Sequence, residues 1–416
     1  MTIDEIRITS VAYADDILLL SETQEGLIEQ IKIIHKFCTE NGLTINYDKT
    51  KIMAVNHAKK YAHLKICFKG VRHSIAVVED YKYLGMWISK SNKKHIENLE
   101  RKGRKSSFLT TKTLKEFGQI NGILLKDTFE ALTLSKIKYC GEFCFRDNVR
   151  ELNKIQYQFY KRFCHLKKTT PNYCLIGEFG LQPIEFHFYK AALSYWTKLI
   201  KADKKCIIRQ MYQHIYQNVE NRHYVNTWCW QIMKLLQELN LENLWTNQDK
   251  ENAVNYKFII NTRLKEYFRE QWIQSAKHSH KGLNYLELAL FNSELKSYLN
   301  LIINDQSVLN MLKLRTGNHT LSVEIDRYRN RKTYEECICN LCNYGNIEDI
   351  YHVIVICPRY DQMRKNDLQF LTSCTKEQLY AKLNKLKHSE IKRLTKFMTD
   401  VEAVKRNIII MKEYIS

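Results

Sequence analysis

The sequence predicts an α+β chain that is predominantly helical, with a small antiparallel sheet at the amino terminus and a small cysteine–histidine lobe toward the carboxy terminus. Three observations predict it. The 416 residues include only 3 Pro and 13 Gly, well under the usual ~5 % and ~7 %, so few turns are obligatory and helix should fill most of the chain. Strand-type alternation is confined to the first 90 residues. Three Cys and one His recur at metal-ligand spacing between 339 and 357.

The elements follow in order. Ile3, Ile6, Ile8 and Val11, then Ile17 to Leu20, read as two short strands flanking Tyr13-Ala14-Asp15-Asp16. Ser21, with Gln24 three residues on, has the form of a capping box. The helix it opens sets Leu27, Ile31, Ile34 and Cys38 on one stripe and stops at Asn41-Gly42. LTINYDKTKIMAV (43–55) returns to strand, and LKICFKGVRHSIAVV (64–78) reads as a hairpin about Gly70. YKYLGMWIS (81–89) reads as one more strand. From about 93 to 330 helices dominate, broken by a loop at 167–172 that holds Pro171 and by another near Pro183.

Lys plus Arg number 65 against 45 Asp plus Glu, a formal charge of +20 spread along the whole chain. Such a balance suits a polyanionic partner, most often nucleic acid. An A/T-rich gene, rich in Lys, Asn, Ile and Tyr codons, is the alternative. Over 151–168 a helical wheel sets Leu152, Ile155, Phe159, Phe163 and Leu166 on one side and Lys154, Lys161, His165 and Lys168 on the other. A solvated face and a phosphate-facing stripe fit that pattern equally, as they fit the basic cluster KSNKKHIENLERKGRKSS (90–107). Thirteen Cys without a signal peptide point to reduced thiols in a nuclear or cytoplasmic protein. No apolar stretch nears the roughly 20 residues of a membrane span, so a soluble chain with no membrane partner is expected.

Two segments carry chemistry. In VAYADDILLLSE (11–22), Asp15 and Asp16 are adjacent within an apolar run, where mutual repulsion and poor solvation both oppose ionisation. A strand–turn–strand that presents them at one end of a sheet lets divalent ions neutralise the repulsion. Two Mg²⁺ ions so held can clamp the attacking hydroxyl and the leaving oxygen of a nucleotidyl transfer. Taken alone, the four residues also fit a surface turn or a cap. In CNLCNYGNIEDIYHVIVICPRY (339–360), Cys339, Cys342, His352 and Cys357 form C-x2-C-x9-H-x4-C. Three thiolates and one imidazole suit a closed, structural zinc site, which lends folding energy to a lobe without its own core. Cys337 competes for the first position, and buried free thiols are the alternative to a metal. Arg327, Arg329, Arg331 and Lys332 precede the motif as candidate phosphate contacts.

The order of these motifs carries a family resemblance. YADD, a helix of about fifteen residues, GLTIN..KTK and then YLG resemble motifs C, D and E of a reverse-transcriptase palm. TTPNYCLIGEFGLQPIEFHFYK (169–190), with Pro171, Glu178, Gly180 and Pro183, resembles the region beyond the thumb in non-LTR (LINE-type) retrotransposon polymerases. LRTGNHTL (314–321) resembles a tract those proteins carry just before their cysteine motif. The resemblance covers most of the chain. It implies that Asp15 and Asp16 are the magnesium-binding catalytic carboxylates of an RNA-directed DNA polymerase, with Tyr13 and Ala14 shaping the turn. It implies Lys49, with Lys51 the alternative, near the incoming triphosphate, and Tyr83-Leu84-Gly85 as the primer grip. The implied domains are a partial palm (1–90), a thumb-like region (91–200), a helical connector (201–330), a zinc lobe (331–370) and carboxy-terminal helices (371–416). The implied partners are an RNA template, an RNA–DNA duplex and target DNA.

The same resemblance marks what this sequence lacks. In the family a further aspartate, of motif A, and the fingers lie upstream of YADD. Here Asp4 is the sole aspartate before Asp15, on the strand leading into the hairpin. The expectation is a carboxy-terminal polymerase piece, inactive by itself, whose hairpin exposes a sticky unpaired edge. No Pro-Asp spaced from a second acid follows Cys357, so the source element is expected to carry an amino-terminal apurinic-type endonuclease. The rival expectations are a residual RNA- or DNA-binding protein and an inert remnant.

Overall fold

The structure, a computed structural model, describes residues 2–3, 6–55, 63–68, 71–221, 224–248 and 253–415. Strands β1 (Thr2–Ile3), β2 (Ile6–Arg7), β3 (Ser10–Tyr13) and β4 (Asp16–Leu19) precede helix α1 (Gln24–Glu40). β5 (Lys51–Ile52), β6 (His63–Phe68), β7 (Val71–Val77), β8 (Tyr81–Tyr83) and β9 (Met86–Ile88) follow. Helices then take over: α2 (Lys93–Phe117), α3 (Gly122–Phe129), α4 (Ser135–Ile137), α5 (Arg150–Phe163), α6 (Asn172–Phe179) and α7 (Ile184–Lys201). Next come α8 (Ile207–Gln217), α9 (Trp228–Glu238), α10 (Glu242–Thr246), α11 (Ala253–Lys277) and α12 (His280–Leu288). The last are α13 (Gln306–Arg315), α14 (Ser322–Arg329), α15 (Asp361–Asp367), α16 (Lys376–Leu383) and α17 (His388–Ile415). The chain is α+β and predominantly helical, with its sheets at the amino terminus, as composition and alternation predict.

Two compact units draw on interleaved segments. The first comprises Met1–Asn98, Glu142–Asp147 and Ala191–Phe258; the second comprises Leu99–Gly141, Asn148–Lys190 and Ile259–Ser416.

In the first unit the strands form antiparallel pairs β1–β2, β3–β4 and β8–β9, and a three-stranded sheet ordered β5-β7-β6 with β5 parallel to β7. Ile31, Leu64, Ile66 and Ile75 make a small core, against which Leu19, Leu27, Ile28, Tyr47 and Ile52 pack. Several local expectations are corrected here. The strand read from Ile3 to Val11 is broken into a β1–β2 pair and a separate β3; Asp4 lies outside the described residues. The cap of α1 is Thr23 rather than Ser21: its hydroxyl accepts the Gly26 N–H at 3.1 Å, while Ser21 Oγ accepts the Thr23 N–H. The helix stops at Asn41, followed by Gly42 at φ 69°.

The strand expected over 43–55 shrinks to β5, because Asn46 closes a turn instead. Its carbonyl accepts the Thr50 N–H at 3.0 Å and its side chain accepts the Lys49 N–H at 3.0 Å. The 64–78 hairpin forms with Phe68 opposite Val71; its turn at Gly70 lies outside the described residues. Residues 81–89 are a hairpin rather than one strand. Leu84 (φ 46°) and Gly85 (φ 83°) are both left-handed, as a two-residue type I′ loop requires.

In the second unit α5 buries Leu152, Ile155, Phe159 and Phe163, and with them Tyr160, which packs against Phe179 at 4.8 Å. The helix ends at Phe163, short of the expected 168, and His165 turns the chain at φ 54°. Leu166 is nevertheless buried. Far apart in sequence, the tracts 169–190 and 314–321 meet. Arg315 Nε donates to both oxygens of Glu178 (3.1 and 2.9 Å), and the Tyr285 and Tyr298 hydroxyls donate to the same carboxylate. Asn318 Oδ1 accepts from Lys167 N–H and the Thr170 hydroxyl. Gly180 ends α6 at φ 61°, where a Cβ would lie 2.8 Å from Leu295 N.

Candidate functional site

The Asp-Asp pair sits at the tip of a hairpin. Tyr13 pairs with Asp16 across the β3–β4 ladder, leaving Ala14 and Asp15 as the connecting residues. Ala14 has φ 53°, a conformation that costs a side chain about 1–2 kcal/mol. The Leu20 N–H extends the ladder to the Thr9 carbonyl, and Gln30 Nε2 of α1 donates to the Leu20 carbonyl at 2.9 Å. Through Leu19, then, the hairpin base is anchored on the small core. Its tip is not: Asp15 and Asp16 are exposed, as are Val11, Ile17 and Tyr13, the last at 66 %. Of the apolar run that suggested a buried pair, Val11 to Ile17 face solvent and Leu18 to Leu20 are half-buried. Among the described residues β3–β4 has no third strand, and no third metal-ligating side chain gathers at Asp15 and Asp16.

Lys49 and Lys51 differ in their engagements. The Lys51 ammonium donates to the Asp48 carbonyl at 2.7 Å, whereas Lys49 is exposed with its carbonyl accepting from the Tyr81 hydroxyl. Tyr83, Leu84 and Gly85 form the tip of the β8–β9 hairpin, with the Tyr83 hydroxyl buried and unpartnered among the described residues.

The cysteine–histidine motif converges. The ligand atoms of Cys339, Cys342, His352 and Cys357 all lie within 4.8 Å of one another. Two devices bring them together. A short hairpin, in which Cys339 N–H donates to the Asn346 carbonyl and Glu348 N–H to the Cys337 carbonyl, turns at Gly345 (φ 67°) and presents Cys339 and Cys342. A π-helical turn over His352–Ile356, closed by Cys357 N–H to the His352 carbonyl at 2.8 Å, presents the other two. In an α-helix, residues five apart point about 140° from each other; the i→i+5 closure brings them to one side.

Zn–S bonds of about 2.3 Å and Zn–N bonds of about 2.0 Å place tetrahedral ligands about 3.8 Å (S···S) and about 3.5 Å (S···N) apart. Cys339 Sγ lies 4.0 Å from Cys357 Sγ, and Cys342 Sγ lies 3.5 Å from His352 Nε2. The donor set therefore fits zinc. The hydrogen bond from Cys357 holds the Cys339 thiol well below its usual range. His352 Nδ1 is buried without a partner among the described residues. That costs about 1–3 kcal/mol, small beside the roughly 10–16 kcal/mol of a structural zinc. Cys337 points elsewhere, its thiol donating to the Thr333 carbonyl at 3.2 Å, so Cys339 takes the first position.

The candidate phosphate contacts scatter. On α5 Lys154 pairs with Glu151 at 2.5 Å and Lys161 donates to the Lys168 carbonyl, while His165 and Lys168 lie beyond the helix. Of the four residues on that side of the helical wheel, only Lys154 and Lys161 lie on α5. Arg327 pairs with Glu324 and Lys332 with Asp326, whereas Arg329 and Arg331 are exposed. The feature that charge clustering only half revealed is on α2. There Lys105, Phe108, Leu109 and Lys112 share an exposed stripe, opposite the buried Ser106, Ser107, Thr110 and Leu114. The helical spacing of those residues in the sequence was the available signal.

Residues 2–88 match the family model of reverse transcriptase (RNA-dependent DNA polymerase). This segment, with the Asp-Asp hairpin inside it, is similar to reverse transcriptases. No curated protein and no solved structure matches the chain. No helix among the described residues is long and apolar enough to cross a membrane.

Proposed function

We propose that the chain is a carboxy-terminal part of a non-LTR (LINE-type) retrotransposon reverse transcriptase, with the palm, thumb, connector, zinc-lobe and terminal segments expected from its sequence. One observation carries the reading: within the segment similar to reverse transcriptases, a hairpin holds two adjacent carboxylates at an exposed turn. In this reading Asp15 and Asp16 hold magnesium, and the bound ions neutralise charge on the reacting oxygens. Lys49 serves the triphosphate, and Tyr83-Leu84-Gly85 supports the primer strand. Zinc on Cys339, Cys342, His352 and Cys357 braces a lobe whose Arg329 and Arg331 meet phosphates. By itself the chain is a poor polymerase, because two exposed carboxylates without a third ligand among the described residues leave each metal mostly to water. Its place is intracellular, nuclear or cytoplasmic, where thiols stay reduced.

The α2 stripe, cationic with Phe108 exposed to 64 %, favours a second reading of retained nucleic-acid binding without catalysis. One experiment addresses both. A labelled DNA primer on an RNA template is incubated with the chain, dNTPs and Mg²⁺, and read for extension and for a gel shift. The expected outcome is a salt-sensitive shift without extension. Extension that disappears in Asp15→Ala/Asp16→Ala would show that the chain completes its own catalytic site. No shift at low salt would remove both readings of this chain as a nucleic-acid binder.

A further inference from the structure

The second unit holds a half-open cavity of about 60 Å³ that neither the hairpin nor the cysteine site uses. Its wall includes Lys281 of α12, Arg315 of α13, Glu324 and Arg327 of α14, and His319 and Asp349 from connecting segments. At ~10–15 Å³ per water-sized position, it has room for about five heavy atoms, the number in a tetrahedral oxyanion.

Hydrogen-bond accounting says what kind of occupant suits it. The Arg315 side chain is 1 % exposed. Its Nε and Nη2 donate to Glu178 and Asn384, but Nη1 has no partner among the described residues. Arg327 Nη2 reaches Glu324, while its Nε is likewise buried and unpartnered. A guanidinium keeps its protons, so both atoms are obligate donors. Several acceptors of the wall are engaged. Asp349 accepts from the Tyr334 hydroxyl and from His352 N–H; Glu324 Oε2 accepts from Lys281 and Arg327; His319 Nδ1 accepts from Leu321 N–H. Lys281 spends two of its three N–H groups on the Gly317 carbonyl and Glu324. The wall thus carries two buried guanidinium donors that have no partner among the described residues. A water serving both arginines would have to place its own two hydrogens; an oxyanion only accepts.

We propose that this cavity binds a phosphate group, whose oxygens take the N–H of Arg315 Nη1 and of Arg327 Nε, with the remaining Lys281 N–H beside them. Of the two wall carboxylates, Glu324 is held by Lys281 and Arg327, and Asp349 accepts from the Tyr334 hydroxyl and His352 N–H. The site is independent of the polymerase reading.

The test is calorimetric titration of the purified full chain with inorganic phosphate, against chloride at equal ionic strength. One-to-one binding is expected, weakened at least about tenfold in Arg327→Met, which keeps the apolar stem and leaves the Glu178–Arg315 pair intact. Should that variant lose its cooperative melt, Arg327→Lys, which keeps the charge for Glu324 but lacks Nε, takes its place with the same expectation. A nucleoside monophosphate and a 5′-phosphorylated oligonucleotide, compared with its 5′-hydroxyl twin, separate a free-phosphate site from a strand-end site. No heat beyond the chloride control, or equal affinity in the wild type and the folded variant, overturns the proposal.

Discussion

Arg315 shows how much one residue can hold. Its guanidinium joins Glu178 across 137 positions of sequence, and two tyrosine hydroxyls saturate the same carboxylate. Removing one partner of a buried pair leaves the other charge uncompensated, at about 3–5 kcal/mol, whereas apolar replacement of both is often nearly neutral. Arg315→Met should therefore lower the urea midpoint sharply, and Glu178→Leu added to it should recover part of the loss. A double variant less stable than the single would mean that the tyrosine hydroxyls, rather than the ion pair, set the energetics. His319 makes a pH prediction at the same scale. Burial, and then the charges of Lys281, Lys405 and Lys167, lower its pKa from 6.5 to about 3. His187 is lowered to about 4, again by burial first. Between those values and 6.5 the unfolded chain binds protons that the folded chain refuses. Stability is therefore complete above about pH 6.5 and lost as pH falls, by up to ~1.4 kcal/mol per unit for each histidine. His319→Asn, whose side-chain oxygen can still accept from Leu321 N–H, should flatten that acid limb when unfolding is compared at about pH 7 and about pH 5.

Short hairpins and one π-helical turn aim the chemistry at the scale of the element. The β8–β9 loop puts Leu84 at φ 46° before Gly85, where Asn-Gly is the favoured pair. Leu84→Asn removes a partly exposed leucine and relieves the left-handed strain, so a gain of up to about 1 kcal/mol is expected in thermal unfolding. A loss instead would mean that Leu84 packs more tightly than its exposure suggests. The β3–β4 hairpin obeys the same logic but cannot improve itself by burial, because its tip is open to solvent. Between His352 and Cys357, the i→i+5 closure does what an α-turn could not: it sets residues five apart on one side.

For the molecule as a whole, the zinc proposed at the cysteine–histidine cluster is the term with the largest reach. The four ligands lie in the second unit, and Cys339 and Cys357 are buried there with His352. Ligands this close without a cation would have to stay protonated or repel. Chelation at neutral pH should lower the melting temperature, and re-addition of zinc should restore it as bound ligand does for any folded state. Cys342→Ser should abolish that response while leaving the secondary structure outside the lobe in place. A melt indifferent to chelator would assign the thiols to ordinary core packing.

Much of this was legible without coordinates, and the rest was not for reasons of range. Scarcity of Pro and Gly, alternation in the first 90 residues and a Gly after α1 act on neighbouring residues, so helix content, the amino-terminal sheets and the end of α1 follow from the sequence directly. The ligand types at 339, 342, 352 and 357, and the adjacent carboxylates at 15 and 16, are also sequence facts. Only tertiary structure decided between Cys337 and Cys339, because a thiol's direction depends on which carbonyl its hairpin offers. The strand at 81–89 became a hairpin because two left-handed residues outweighed an apolar run. Likewise α5 stopped at Phe163, where buried Cys164 and a left-handed His165 turn the chain. The meeting of Glu178 with Arg315, and the cavity beside it, depend on contacts more than a hundred residues apart. No local propensity encodes such contacts; they exist only once the second unit has closed its core.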